Sequence, residues 1–173
     1  MTRIDFYVLK PGAQGDRFAL TCRLVERIYA QGRSTGPLPG QSSGQAQDRA
    51  SGPPEARPGA RSGSRRILIH CPDRQQASHL DQLLWTYRED SFLPHGLVGQ
   101  TDPELTPILI STDGQPDGED QVLINLAAEV PEFFSRFERL CEPLDNDPAA
   151  RAAGRKRYSY YRDCGYPLQH HEV

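Results

Sequence analysis

Residues 65–73 read RRILIHCPD, and this stretch decides the fold class of the chain. Its apolar centre, ILI, does not alternate with polar residues, which is typical of a strand buried on both faces of a parallel sheet. Asp73 follows as a helix N-cap, because its carboxylate can accept hydrogen bonds from a first turn. The apolar side chains beyond it recur at helical spacing on one face: Ala77, Leu80, Leu84 and Tyr87. We therefore expect a strand at 66–70 and an amphipathic helix after it.

The same pattern occurs upstream and, in part, downstream of this stretch. Residues 4–9, IDFYVL, form a run rich in β-formers, and the apolar spacing at 15–32 predicts a helix after it. Residues 106–112, TPILIST, and residues 121–127, QVLINLA, predict two further strands joined by a turn. Alternating apolar strands and helices favour a three-layer α/β domain, Rossmann-like, with a mostly parallel sheet and helices on both faces.

Two more helices are expected towards the C-terminus. Apolar residues at helical spacing predict the first, over 130–140: Val130, Phe133, Phe134, Phe137 and Leu140. The second, at 147–163, begins at the cap-like sequence DNDP.

By contrast, Gly, Pro and Ser make up 17 of the 31 residues at 34–64, which cannot bury enough apolar area to offset their ordering entropy. We expect a single domain, 1–173, with a disordered insertion at about 34–64.

The bulk composition argues against several function classes. A net charge of −3 and a pI near 5.9 disfavour a surface that binds nucleic acid over its whole extent, so any basic footprint has to be local. No apolar run approaches the roughly 20 residues that a membrane span requires, so a membrane protein is not expected. Four cysteines without a C-x-x-C pair, and an N-terminus without a long apolar core, indicate a reducing, cytoplasmic setting with free thiols.

The sequence offers little catalytic chemistry. The turn after the first strand, KPGAQGDRF, lacks both glycine-rich phosphate-binding patterns, and Pro11 removes one backbone N–H from it. GQSSG at 40–44 fits the pattern of a nucleophile elbow but lies in the expected disordered insertion.

His70 and Cys71 are neighbours on a strand and point to opposite faces, so they would not converge on a metal. HHE at 170–172 is expected in a frayed tail. We therefore expect no catalytic residue, cofactor or metal site.

Residues 83–99, LLWTYREDSFLPHGLVG, admit two interpretations. Trp85 lies near the edge of the apolar stripe of the predicted helix, and Phe92 lies in a short segment that contains Pro94. These aromatic residues are either core residues beneath a loop or anchors of an exposed surface that binds a partner. The residues alone favour neither interpretation.

Residues 151–166, RAAGRKRYSYYRDCGY, combine positive charge with tyrosines in an acidic chain. On a helix, four side chains fall within about 60° of arc, with Ser159 beside them: Arg151, Arg155, Tyr158 and Arg162. Three interpretations of this face are open. It is an ordinary solvent-exposed face, a binding site for a nucleic-acid strand, or a binding site for an acidic peptide with an apolar end group. It is only about 16 Å long, three helical turns, which slightly favours the peptide.

Four stretches of the sequence together resemble the chi subunit family of bacterial DNA polymerase III. They are IDFYVL at 4–9, RILIHCPDRQQASHLDQLLWTYREDSFLPHGL at 66–97, DQVLINLAAEVPEFFSRFERL at 120–140 and RKRYSYYRDCGY at 155–166. The most specific parts are LDQLLW followed by SF-x-PH-x-L, and the terminal R-x-RY-xx-YR-xx-G. The resemblance covers nearly the whole chain except 34–64, which looks like an insertion absent from shorter members.

The resemblance implies a non-catalytic accessory subunit without a nucleotide site. Members of the family pair with the psi subunit, which tethers them to the clamp loader. They also bind the acidic C-terminal tail of single-stranded DNA-binding protein, which ends in phenylalanine, so they reach DNA only indirectly. The alternative is an α/β protein that binds single-stranded nucleic acid directly through the same basic helix.

The resemblance also implies two binding surfaces. The tail-binding helix of the family matches Arg151, Arg155 and Tyr158, with Ser159 at a position where other members carry a lysine. Arg162 lies on the same face and is the candidate for replacing that charge. The surface for psi, or for a helicase in its place, would contain Trp85, Phe92 and Pro94.

Overall fold

The structure is a computed structural model that describes residues 1–33, 65–87, 93–112 and 119–173. Three of the expectations concern residues outside these ranges. They are the disordered insertion at 34–64, most of the turn after the third predicted strand, and the role of Phe92. The strands are β1 (Arg3–Val8), β2 (Ile67–His70), β3 (His95–Leu97), β4 (Ile108–Ser111), β5 (Val122–Asn125), β6 (Arg139–Leu144) and β7 (Leu168–Glu172). The α-helices are α1 (Arg17–Arg33), α2 (Arg74–Thr86) and α3 (Pro148–Asp163).

Within the described ranges the strands form one sheet in the order β3-β4-β2-β5-β6-β1-β7. Every neighbouring pair is parallel. The chain moves from β1 towards β3 through α1 and α2, and from β6 towards β7 through α3. When two right-handed crossovers run in opposite directions along a sheet, their helices lie on opposite faces of it. The predicted three-layer α/β class is confirmed.

Two hydrophobic cores lie on the two faces of this sheet. Along β2, Ile67 and Ile69 join the core beneath α1 and α2, whereas Leu68 joins the core that contains Tyr161 of α3. Each fully buried Ile or Leu stabilises the fold by about 1.5–3 kcal/mol. Burial of both faces explains why the ILI centre of β2 carries no polar residue.

The predicted helix at 130–140 is wrong. This segment contains a short 3-10 turn, Phe134–Arg136, and then enters strand β6. Phe134 and Phe137 both reach the core beneath α3, because residues three apart lie on one side of a 3-10 turn as well as of an α-helix. The backbone of Phe137 is extended, and the strand that follows inserts between β5 and β1.

Strands β3 and β7 were not predicted either, and the expected frayed tail is wrong. Strand β7 pairs with β1 from Leu168 to Glu172. The Val173 N–H extends this pairing by donating to the Val8 carbonyl at 2.9 Å. The HHE residues at 170–172 therefore belong to an edge strand of the sheet.

The cysteines agree with the expected free thiols. All four cysteines are free, and burial raises the pKa of Cys22, Cys71 and Cys141 to about 12, so these three are protonated thiols at neutral pH. Among the described residues no helix combines the length and apolar character needed to cross a membrane.

Candidate functional site

Helix α3 carries the basic residues singled out in the sequence, and its two ends are well defined. The carboxylate of Asp147 caps the helix by accepting from the Ala150 N–H at 3.0 Å, and Pro148 occupies its first turn. The helix ends before Gly165, whose φ of 83° lies in the left-handed region that favours glycine. The expected helix at 147–163 is thus confirmed.

A buried polar network fixes the rotation of α3 against the sheet. Glu142 of β6 is fully buried and accepts from Arg157 Nε at 3.0 Å, from the Tyr161 hydroxyl at 2.7 Å and from Asn125 Nδ2 at 3.0 Å. Burial raises the pKa of the Glu142 carboxyl, while the positive charge of Arg157 and the three hydrogen bonds oppose that rise. Since Arg157 and Tyr161 are tied to β6, the opposite side of α3 faces outward.

Gly154 lets α3 approach the sheet closely. A Cβ atom at this position would lie 2.6 Å from Cδ1 of Leu144, which is closer than such atoms come in proteins. The absence of a side chain at Gly154 therefore allows the middle of the helix to rest on the end of β6. The neighbouring residues of α3 then overhang strands β6, β1 and β7.

A cavity of about 150 Å³ lies where α3 overhangs these strands, and we call it the α3 cavity. Its lining residues are Phe6, Val8, Leu144, Arg151, Gly154, Arg155, Tyr158 and His170. A cavity of about 150 Å³ is known to hold one benzene ring. Its apolar floor and charged rim suit a ligand that combines one aromatic ring with negative charge.

Tyr158 forms the aromatic wall of the α3 cavity. Its ring packs edge-on against Phe6, with the ring centroids 5.2 Å apart, and the residue remains 36% exposed. An aromatic guest that enters the cavity beside this pair of rings would contact both of them. Such aromatic pairs add about 0.5–1.5 kcal/mol beyond the burial of apolar area.

The two arginines of the α3 cavity differ in what they contact. Arg151 donates from Nη2 to the Leu9 carbonyl and to Asn146 Oδ1, both at 2.7 Å, and from Nε to the Asp145 carbonyl at 3.0 Å. Its guanidinium is thereby held in place by neutral acceptors. The Arg155 side chain is exposed and makes neither a hydrogen bond nor an ion pair with any other residue in the described ranges. Arg155 is therefore the guanidinium available for an anionic ligand.

Three of the five residues expected on the tail-binding helix line the α3 cavity, namely Arg151, Arg155 and Tyr158. Ser159 and Arg162 do not line it. Arg162 points to solvent and pairs with Asp163 at 3.6 Å. His170, which sequence reasoning missed, completes the lining from β7. Its position could be recognised only once strand β7 was known, because alternation along that strand places every second residue on the side of α3.

The second predicted surface is described only in part. Trp85 is 52% exposed, and its ring lies against His95 with the centroids 4.5 Å apart. The His95 ring is fixed by contacts of 2.6 Å from Nδ1 to the Leu93 carbonyl and 2.9 Å from Nε2 to the Asp81 carbonyl. Pro94 is partly buried, and Phe92 lies outside the described residues. The indole of Trp85 thus rests on an ordered support while one face meets solvent.

Side chains of this chain make contacts at the crevice in which α/β proteins commonly bind nucleotides. Such proteins bind ligands at the carboxyl ends of the strands where the direction of winding reverses, here between β1 and β6. Arg151 bridges the Leu9 and Asp145 carbonyls there, and the Asp145 carboxylate accepts from the Arg17 N–H at 3.1 Å. A carboxylate thus occupies the start of α1, where a phosphate would otherwise bind. This arrangement disfavours a nucleotide at the crevice.

Comparison with known proteins places the chain in a family. The family model described as DNA polymerase III chi subunit, HolC, matches residues 53–169, which is more than half of the chain. The chain belongs to the chi subunit family. A relative from Pseudomonas aeruginosa, named DNA polymerase III subunit chi, is 32% identical over 173 residues. That match covers 100% of this chain and 98% of the relative.

Two further chi proteins match a shorter part of the chain. The one from Haemophilus influenzae is 34% identical over 110 residues, covering 63% of this chain and 76% of its own length. The one from Escherichia coli K12 is 31% identical over 105 residues, covering 60% of this chain and 71% of its own length. Both are named DNA polymerase III subunit chi, which agrees with the resemblance recognised in the sequence.

Proposed function

We propose that this chi protein is a non-catalytic accessory subunit of the replicative DNA polymerase. It bridges the clamp loader, through the psi subunit, to single-stranded DNA-binding protein by holding the acidic C-terminal tail of that protein. The observation that carries this proposal is the α3 cavity, which combines room for one aromatic ring with the Arg155 guanidinium, which has no partner among the described residues. A tail that ends in phenylalanine presents a ring and a terminal carboxylate on one residue.

The proposed binding mode follows from these contacts. The terminal phenyl ring enters the α3 cavity beside the contacting rings of Tyr158 and Phe6 and packs on Leu144. Arg155 donates two parallel hydrogen bonds to the terminal carboxylate, which a planar guanidinium does better than a lysine. Arg151, held by its neutral acceptors, adds positive potential. Exposed ion pairs contribute about 0.2–1 kcal/mol each and one buried ring about 1.5–3 kcal/mol, so we expect a modest affinity that weakens with salt.

The surface around Trp85 is our proposed site for psi. A half-exposed indole that packs on a fixed His95 ring resembles the rigid aromatic anchors that dominate many interfaces. Phe92 and Pro94 follow closely in the sequence and belong to the same proposal. A helicase is an alternative occupant of this surface.

The test of the tail site is a titration with a short synthetic acidic peptide that ends in phenylalanine. Arg155→Ala should weaken binding at least about fivefold, because it removes the ligand-facing guanidinium. Arg162→Ala is the matched control, since it removes an exposed arginine of the same helix outside the α3 cavity, and it should change affinity less than about twofold. Equal affinity of Arg155→Ala and wild type would show that the site is placed wrongly.

Direct binding of single-stranded nucleic acid is the second candidate function. Lys156 and Arg162 are exposed cations on α3, and they favour this alternative. The net charge of −3 opposes it. A labelled oligonucleotide and the labelled acidic peptide, titrated side by side at moderate salt, separate the two functions. Strong oligonucleotide binding without peptide binding would replace our proposal with the alternative.

A further inference from the structure

The positive charge of the α3 cavity is smaller than the sequence of α3 suggests. Ser159 carries no charge, and Arg162, the candidate replacement, lies outside the lining and pairs with Asp163. Helix α3 therefore supplies two cations to the cavity, Arg151 and Arg155. The remaining lining residue that can carry a positive charge is His170, which comes from β7.

The register of β7 explains why His170 reaches this cavity. His170 lies beside Phe6 in the parallel pairing of β1 and β7, and Phe6 itself lines the α3 cavity. His171, the next residue, points to the other face of the sheet, where it stacks on Tyr7 with the centroids 4.7 Å apart. Because side chains alternate along a strand, His170 is directed towards α3. The residue is exposed, so solvent can exchange protons with its imidazole.

We propose that His170 is the third cationic group of the α3 cavity and makes binding of the acidic tail dependent on protons. This inference rests on the proposed tail-binding function. A protonated imidazole adds a positive charge and two N–H donors at the rim, whereas the neutral ring adds no charge. The tail therefore binds more tightly to the protonated form, and its affinity rises as pH falls.

The groups around His170 allow this proton coupling. Helix α3 presents the cations Arg151 and Arg155 and the phenol of Tyr158, while β1 and β6 contribute only apolar side chains to the lining. Glu172 lies two residues along β7 on the same face of the sheet. An anionic tail adds further negative charge beside the ring. Linkage makes this effect reciprocal. If protonation of His170 raises the affinity for the tail by some factor, binding of the tail raises the affinity of His170 for a proton by the same factor.

The experiment compares three side chains at residue 170 with a fluorescent acidic peptide that ends in phenylalanine. Affinity is measured from about pH 5.5 to pH 8, where histidine side chains titrate while peptide carboxylates stay ionised. Wild type should bind about two- to fivefold more tightly at the lower pH. His170→Asn should bind weakly at all pH values, and His170→Lys tightly at all of them. The control His79→Asn, at an exposed histidine of α2, should retain the wild-type pH profile.

Proton uptake provides a second measurement. Calorimetry of peptide binding in two buffers with different ionisation enthalpies should show uptake of part of a proton by wild type and none by His170→Asn. A wild-type pH profile in His170→Asn, or a flat profile in wild type, would overturn the inference.

Including Arg155→Ala distinguishes this inference from the proposed function. If Arg155→Ala loses the peptide while all three side chains at residue 170 give the same profile, only the role of His170 is refuted. If Arg155→Ala binds as tightly as wild type, the tail site itself is refuted and the inference falls with it.

Discussion

Asp5 is a single buried carboxylate that holds three strands together. From the middle of β1 it accepts from Arg139 Nε of β6 at 2.7 Å and approaches His171 Nε2 of β7 at 3.2 Å. Arg3 Nε of β1 lies 3.1 Å away. Burial alone would raise the pKa of Asp5, but the hydrogen bonds from His171 and Arg139 and the positive charges of Arg139 and Arg3 lower it overall.

The lowered pKa of Asp5 predicts how stability depends on pH. A carboxylate whose pKa is lower in the folded state stabilises the fold above its unfolded pKa, near 4, and loses this contribution as pH falls through the folded value. Asp5→Asn should lower the free energy of unfolding by about 1–3 kcal/mol at pH 7, and the difference from wild type should shrink below about pH 4. Urea unfolding at both pH values measures this.

The control for Asp5→Asn is Glu138→Gln, which neutralises an exposed carboxylate next to β6. It should change the free energy of unfolding by less than about 0.5 kcal/mol at either pH. A difference between Asp5→Asn and wild type that stays constant with pH would mean that the charge of Asp5 is not what stabilises the sheet.

Helix α3 shows how one element serves both the fold and the site. Its position was predicted from the sequence because its cap and its proline are local signals. Its rotation depends on Glu142, a charged residue of a strand that was not predicted at all. Strand β6 was missed because the aromatic spacing before it fits a helix, and only pairing with β1 and β5 favours the extended form.

Two adjacent cations of α3 test this division of roles. Arg157→Ala removes the cation that pairs with the buried Glu142 carboxylate and should lower the free energy of unfolding by about 3–5 kcal/mol. Lys156→Ala removes an exposed cation one residue earlier and should change the free energy of unfolding by less than about 0.5 kcal/mol. Denaturant unfolding measures both, and equal effects would contradict the role of Glu142 in fixing α3.

At the scale of the whole molecule, the two proposed surfaces lie on different elements. Trp85 belongs to α2, on the face of the first core, whereas Arg155 belongs to α3, which packs on the second core. The whole sheet separates these helices, so a tail on one face leaves the other face accessible. This geometry suits a protein that holds two partners at once.

The separation predicts that the two partners can be lost independently. In a pull-down with the full chain, Trp85→Ala should lose psi and keep the acidic tail, while Arg155→Ala should lose the tail and keep psi. Both residues are exposed enough that the variants should fold, which circular dichroism checks. Loss of both partners from a variant that is correctly folded would indicate one shared surface.

The sequence by itself determined the α/β class, the basic helix and the family, because strand apolarity, helix capping and motif spacing are local properties of the chain. Only the tertiary structure decided which of the basic residues share a cavity. Arg162, four residues from Tyr158 on the same helix, lies outside it, whereas His170 on strand β7 lies inside. The reason is physical: a cavity forms where elements meet, and the pairing of β1 with β7 is a contact between residues more than 160 positions apart.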